Sequence, residues 1–477
     1  NFKEKIMWKF EEYAANTAVI DEYGTTLSYQ ELNAENSKLV EKIGKRCLVF
    51  CFCQNSIGSI MGYTAFINSN IPTVLLNAHL DEELRDVLLD NYKPSYLWLP
   101  KEQLDSFQNM EKVYETYGYA LLKTHFDVEY PLYDELCLML TTSGSTGSPK
   151  FVRQSYKNVL SNARSIVEYL ELDETERPIT TLPMNYTYGL SIINSHLLVG
   201  ATILVTDKGL MQKEFWEFFR EQKATSFGGV PYTYEMLDKL RFFRMNLPSL
   251  RYMTQAGGKL IPELHAKFAD YADKNGKKFI VMYGQCEATA RMGYLPAEKA
   301  IEKCGSMGIA IPGGKFKLID GNSDEITSPY TTGELVYEGE NVTLGYAECG
   351  ADLSKGDERG GILQTGDMAQ FDKDGYYYIV GRKKRFLKIY GNRVNLDEVD
   401  RLIKGKFESI DCASAGIDDH MYLFLTDEEK AEAVRNFVIE KTGLNSAAFK
   451  TIIIDEIPKN DAGKTLYREL EKYYKSV

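Results

Sequence analysis

Histidine is sparse in this chain, and neither histidine nor cysteine is spaced to hold a metal. Five histidines in 477 residues (His79, His125, His196, His265, His420) stand far apart, and the eight cysteines include no Cys-x-x-Cys pair. A structural zinc site is therefore not expected. The cysteines read as buried free thiols, three of them within the apolar run Cys47 to Cys53. No apolar stretch is long enough to cross a bilayer, and Asn1 to Phe10 carry no apolar signal core. A cytoplasmic protein without a membrane span is expected. Positive charge is also short: 56 Lys and Arg against 68 Asp and Glu leave a formal net charge of −12. That excludes broad binding to nucleic acid or an anionic membrane, either of which needs a basic field. Internal repeats and low-complexity tracts are missing too.

Against these absences one segment stands out. Leu138 to Leu140 is apolar and runs into Thr141-Thr142-Ser143-Gly144-Ser145-Thr146-Gly147-Ser148-Pro149-Lys150. Glycines bring backbone N–H groups close to an anion, hydroxyls add donors, and the lysine adds a mobile charge. This is a candidate phosphate loop. It is not a Walker A loop, because no Gly-x-x-x-x-Gly-Lys-Ser/Thr spacing fits it. Gly463-Lys464-Thr465 fails the same test, since Pro458 stands where the first glycine belongs.

The remaining pattern predicts an α/β fold. Ser28-Tyr-Gln-Glu31 is a capping box opening a helix, Cys47 to Cys53 a buried strand, Ile57 to Ile67 a helix, and Pro72 to Leu76 another strand. The alternation returns at Leu136 to Leu140, Asn158 to Leu170, Ala201 to Val205, Phe215 to Arg220 and Phe279 to Tyr283. It implies mostly parallel sheets flanked by helices, with ligands at the carboxyl ends of the strands. From about Ile311 the segments become short, β-rich and glycine-punctuated, and the basic tract Gly381 to Arg385 follows. The division expected is a large N-terminal domain (1–380) with a β-rich subdomain (about 311–380), a hinge (381–386) and a small α+β C-terminal domain (387–477).

Taken in order, the segments resemble the adenylate-forming superfamily of acyl-CoA and aryl-CoA synthetases, peptide synthetase adenylation domains and D-alanine carrier-protein ligases. The series comprises the Thr141 to Lys150 loop, Pro183 to Leu190, Gly229-Val-Pro231, Gln255 to Lys259, Tyr283 to Glu287 and Gly305 to Gly308. It continues through Gly333 to Leu335, Gly345-Tyr346, Thr365-Gly-Asp367, Gly381-Arg382, Lys388 with Gly391 and Arg393, and Pro458 to Lys464. The resemblance implies ATP-dependent, AMP-forming activation of a small carboxylic acid, then acyl transfer to the thiol of coenzyme A or of a carrier protein's phosphopantetheine. It implies roles as well. Lys464 is the catalytic lysine, with Lys150 closing the phosphate loop; Glu287 and Thr142 hold Mg2+. Tyr283 stacks on adenine, Gly257 and Gly258 let the backbone approach the ring, Gly284, Gln285 and Cys286 line the nucleotide, and Asp367 and Arg382 contact ribose. Lys384 is the pivot of a mobile C-terminal domain, and Lys388, Gly391 and Arg393 line the thiol tunnel.

Two departures from the family pattern matter. Cys286 stands where a Thr or Ser usually offers a hydroxyl to the α-phosphate, and a thiol is a weak donor. In the substrate pocket, marked by Asn185, Tyr186, Thr187, Tyr188, Gly257 and Arg291, Tyr186 replaces the family's histidine. No carboxylate lies between Asn185 and Ser195 to pair with an amino acid's ammonium. The acid expected is fatty, aryl or hydroxy. An amino-acid-activating ligase and a noncatalytic nucleotide-binding member are the alternatives. No carrier-type attachment site is recognised in the sequence, so any carrier protein is expected to act in trans.

Overall fold

The computed structural model describes residues 5–141, 150–390 and 392–475. The apolar run becomes strand Val49–Cys53, paired in parallel with Thr73–Asn77 on one side and Tyr96–Pro100 on the other. Its residues serve two cores in alternation: Val49, Cys51 and Cys53 face one, Phe50 and Phe52 the other. Burial on both faces removes the need for polar alternation, which is why the run is apolar throughout. Each fully buried Phe contributes about 2 kcal/mol of transfer energy to that arrangement.

This strand sits near the middle of an eight-stranded sheet. Leu136–Thr141, Thr73–Asn77, Val49–Cys53 and Tyr96–Pro100 run parallel in that order, and both edges are completed by antiparallel pairs. A second sheet of five strands carries Ser226–Gly229, Tyr252–Gln255 and Lys278–Gln285 in parallel, then Ala290–Tyr294 and Ile309–Ala310 antiparallel. A third, wholly antiparallel sheet is built from segments between Lys315 and Arg382. Helices follow the expected periodicity. Helix Tyr29–Ile43 opens on the capping box, with the Glu31 amide donating to Ser28 Oγ (3.0 Å) and the Ser28 amide to Glu31 Oε1 (3.2 Å).

Residues 387–470 enclose cores of their own. The hairpin Phe386–Ile389/Asn392–Asn395, helices Leu396–Lys406 and Ala431–Thr442, and a three-stranded sheet supply most residues of two apolar clusters. Polar contacts join this part to the remainder. Lys404 pairs with Glu235 at 3.2 Å, Arg401 donates to the Val380 carbonyl at 3.1 Å, and Asn77 bonds Asp461.

One expectation needs correction. The cysteines are not uniformly buried: Cys304 is half-buried and Cys349 exposed, because Cys349 caps a surface turn. Between the expected strand Leu136 to Leu140 and the expected helix Asn158 to Leu170 the structure adds one more strand. Strand Phe151–Ser155 follows the phosphate-loop segment and returns antiparallel to Leu136–Thr141, with Thr141 opposite Phe151, before helix Tyr156–Leu170 begins. A strand–loop–strand frame differs in kind from the strand–loop–helix of P-loop enzymes.

Candidate active site

Strand Lys278–Gln285 ends in Tyr283, Gly284 and Gln285, beside Asp367 on strand Ile362–Phe371. The Tyr283 hydroxyl donates to Asp367 Oδ2 at 2.5 Å, and Gln285 Nε2 donates to the same oxygen at 3.0 Å and to the Thr365 carbonyl at 2.8 Å. Burial lifts the Asp367 carboxyl above the usual carboxylate range, opposed by the Tyr283 hydroxyl and by Arg382. Arg382 is directly opposite Asp367 across the strand pair, exposed, with its amide on Asp397 Oδ2. Asp367 is thus an anchored acceptor beside an aromatic ring.

Gly284 has a steric requirement. A Cβ there would stand 1.6 Å from the Ala290 carbonyl oxygen, so only glycine lets the chain double back. The reversal passes through a single turn, Cys286–Ala288, and leaves Thr289 at φ 58° and Ala290 at φ 95°. Backbone held in the left-handed region by a non-glycine residue costs roughly 1–3 kcal/mol, and such strain gathers at functional sites.

The turn presents Glu287. Its Oε1 accepts from the Tyr346 hydroxyl at 3.0 Å, while its backbone carbonyl accepts from the Thr343 amide and hydroxyl. Lys150 Nζ lies 3.8 Å from the Tyr346 ring centre and the Arg359 guanidinium 4.8 Å from it. Arg359 Nε is buried and meets no acceptor among the described residues. Tyr346 stood in the sequence series without a role, and nothing in the sequence marked Arg359.

Cys286 is buried and its thiol donates to the Thr141 carbonyl at 3.7 Å. Burial, and next the Glu287 charge, push the thiol well above its ordinary pKa, so it stays protonated. Thr141 itself is exposed at the strand end; Thr142, Ser143, Gly144, Ser145 and Thr146 lie outside the described residues.

Lys464 arrives from the far end of the chain. Asn460 Oδ1 accepts from its amide (2.9 Å), and its Nζ lies 5.7 Å from the Tyr186 ring centre. Burial and Arg382 pull its ammonium below the ordinary lysine value, while Cys286, Glu287 and Asp367 pull it upward. One cation is thus within electrostatic reach of both carboxylates.

Tyr186 and Tyr188 meet edge to face, with ring centres 6.3 Å apart. Asn185, Tyr186 and Thr187 are half-buried at the start of helix Thr187–Leu198. Gly257, at φ 85°, passes so close that a Cβ would come within 2.9 Å of the Tyr186 hydroxyl; at Gly258 it would press on Pro231 at 3.1 Å. The Tyr188 hydroxyl shares a 2.6 Å hydrogen bond with Thr254 Oγ1. Arg291 is buried beside this pair, its guanidinium 5.5 Å from the Tyr188 ring centre. It makes no ion pair with Glu287; it donates to Ser191 Oγ and the Tyr169 hydroxyl, both at 3.0 Å.

The remaining candidates are not gathered here. Lys384 and Lys388 are exposed, Lys388 on the hairpin opposite Arg393. Gly391 lies outside the described residues, as does the Arg393 side chain. Among the described residues no group of three or more His, Cys, Asp or Glu could hold a metal ion, and no helix is long and apolar enough to cross a membrane.

Known proteins resemble this chain in sequence and in fold. An oxalate–CoA ligase of Arabidopsis thaliana is 28% identical over 363 residues, 72% of this chain and 68% of that enzyme. A 2-succinylbenzoate–CoA ligase of Bacillus subtilis is 22% identical over 464 residues, 94% of this chain and 93% of that one. The structure of O-succinylbenzoate coenzyme A synthetase from Bacillus subtilis, in complex with ATP and a magnesium ion, superposes with a TM-score of 0.76 at 21% identity. It covers 97% of this chain and 98% of that one. The family model for AMP-binding enzymes matches residues 7–347, well over half the chain, so this protein belongs to the AMP-binding enzyme family.

Proposed function

We propose that the protein is an ATP-dependent, AMP-forming acid–thiol ligase. One observation carries the reading: Lys464, from the C-terminal end of the chain, lies over Tyr186 within electrostatic reach of Glu287 and Asp367. A carboxylate oxygen of the acid attacks the α-phosphorus of ATP, the bond to the β-phosphate bridging oxygen breaks, and pyrophosphate leaves. A thiol sulfur then attacks the acyl carbon and AMP departs. Attack loads negative charge on the phosphates, so catalysis is mainly positioning plus preorganised positive charge. Lys464 bridges the acid and the α-phosphate, and Lys150 and Arg359 face the phosphates across Tyr346. Asp367, fixed by Tyr283 and Gln285, accepts from ribose hydroxyls, with Arg382 beside it, and the Tyr283 ring packs on adenine.

Glu287 fits a magnesium ion, with Thr142 as the second ligand from the phosphate loop. Oε1 is oriented by Tyr346 and Oε2 accepts nothing from the described residues, leaving one hard oxygen for a cation that keeps most of its waters. When bound, the ion neutralises phosphate charge.

The acid is fatty, aryl or hydroxy, and the acceptor is coenzyme A or a carrier protein. The relatives named as CoA ligases support the first acceptor. Eight unpaired cysteines fit a reducing compartment, the cytoplasm. Division into residues 1–380, 381–386 and 387–477 belongs to the same proposal, supported by the separate cores of the last part. So does rotation about Lys384, which would withdraw Lys464 and bring Lys388, Gly391 and Arg393 to the thiol path.

ATP–pyrophosphate exchange across fatty, aryl, hydroxy and amino acids is the test. Exchange should depend on the acid and fall roughly 100- to 1,000-fold in Lys464→Ala. Silence with every acid, in a folded protein that binds ATP, would replace this reading with noncatalytic nucleotide binding.

A further inference from the structure

Arg291 is the unusual residue of the acid pocket. It is 2% exposed, yet its described hydrogen-bond partners are all neutral: Ser191 Oγ, the Tyr169 hydroxyl and Met282 Sδ. Buried guanidinium groups normally face a carboxylate, because removing the charge from water costs several kcal/mol that only a counter-charge offsets well. No carboxylate of the described residues pairs with it, and its Nη2 donates to none of their acceptors. Nearby His196 supplies no charge: burial lowers its pKa to about 3. A chain of ring contacts also connects the arginine to the reacting end of the site. From Lys464 the contacts run to the Tyr186 ring at 5.7 Å, from that ring to Tyr188 at 6.3 Å, and from Tyr188 to the guanidinium at 5.5 Å.

We infer that the acid substrate carries a second negative charge at its far end and that Arg291 receives it, so the preferred substrate is a diacid with a short chain or one aromatic ring between its carboxylates. This rests on the ligase reading and narrows it. The guanidinium's planar fork offers Nη2, with Nη1 or Nε, to two oxygens of one carboxylate. The same charge repels the ammonium of an amino acid.

Matched acids decide the matter in the exchange assay: succinate against butanoate, adipate against hexanoate, terephthalate against 4-methylbenzoate. Wild type should favour one diacid over its partner roughly 10,000-fold, the scale of rejection when a buried polar group is left unpaired. In Arg291→Met that ratio should collapse toward unity through a raised KM for the diacid, and Arg291→Lys should restore part of it. Equal use of both members of every pair, or preference for the monoacids, would overturn the inference while leaving the ligase standing. A parallel loss on both acids in Arg291→Met, with the ratio unchanged, would also overturn it by making the arginine part of the framework. Silence with all acids would remove the ligase reading and this one with it. Should Arg291→Met fail to fold, the wild-type ratio and Arg291→Lys decide alone.

Discussion

Cys286 shows how one atom sets the strength of a contact. Its thiol is buried, protonated and turned toward the Thr141 carbonyl at the root of the phosphate loop. A threonine hydroxyl in that place is a stronger donor and would serve phosphate better; a charge-assisted hydrogen bond contributes about 1.5–3 kcal/mol. Cys286→Thr is therefore expected to raise kcat/KM for exchange by roughly tenfold, and an unchanged or lower value would show that the thiol's packing outweighs its weak donation. Such positions were legible in the sequence wherever chemistry demanded one residue type in one spacing. Lys464, Glu287, Asp367 and Tyr283 come together from three stretches of sequence. Arg359 was not legible, since an arginine in a charged surface-like stretch announces nothing until Tyr346 brings it toward Glu287.

Among elements, helices and buried strands were the easiest to read and the connections the hardest. Helix Tyr29–Ile43 was visible from its capping box, whose two hydrogen bonds satisfy otherwise orphaned amides. Ser28→Ala should cost about 1 kcal/mol, measured as a lowered melting temperature with exchange activity intact; no loss would mean that tertiary packing alone defines the helix start. The antiparallel return after the phosphate loop was not legible, because Phe151 to Ser155 mixes apolar and polar residues that become fully buried only against neighbouring strands. Nor could periodicity reveal the strained turn at Ala290, which depends on Gly284 passing under its carbonyl.

The molecule's response to acid follows from its buried imidazoles. His196 donates from Nδ1 to the Ile192 carbonyl (2.7 Å), leaving Nε2 to accept from the Tyr252 hydroxyl (2.8 Å). Burial holds its folded pKa at about 3 and that of His265 at about 4. Both values lie below that of an unfolded histidine, so the unfolded chain binds more protons between about pH 6.5 and those values. Stability is full above pH 6.5 and falls as the pH drops, by about 1.4 kcal/mol per unit for each imidazole. His196→Gln should flatten the decline in melting temperature between pH 7 and pH 5, and an unchanged slope would count against the buried neutral ring.

The proposed rotation would separate the half-reactions. Lys384→Pro removes no hydrogen bond assigned to that amide and stiffens the backbone. Exchange should stay within about threefold while thioester formation falls about tenfold or more, read by separate pyrophosphate-exchange and thioester assays. A parallel change in both would argue against a pivot at this residue.

Lys383 pairs with Glu334 on the antiparallel sheet at 2.6 Å, whereas the next residue but one, Arg385, is held by Asp397 and Asp400 and stacks on Tyr467. Between those two clamps lies one residue, with two soft torsions. A reorientation confined to it is a walk across a single Ramachandran map, whose stopping places are dictated by what a lysine's Cβ permits. Glycine at 384 would add territory to that map and blur the stops, so in the proposed rotation the number of resting orientations would be set by one side chain.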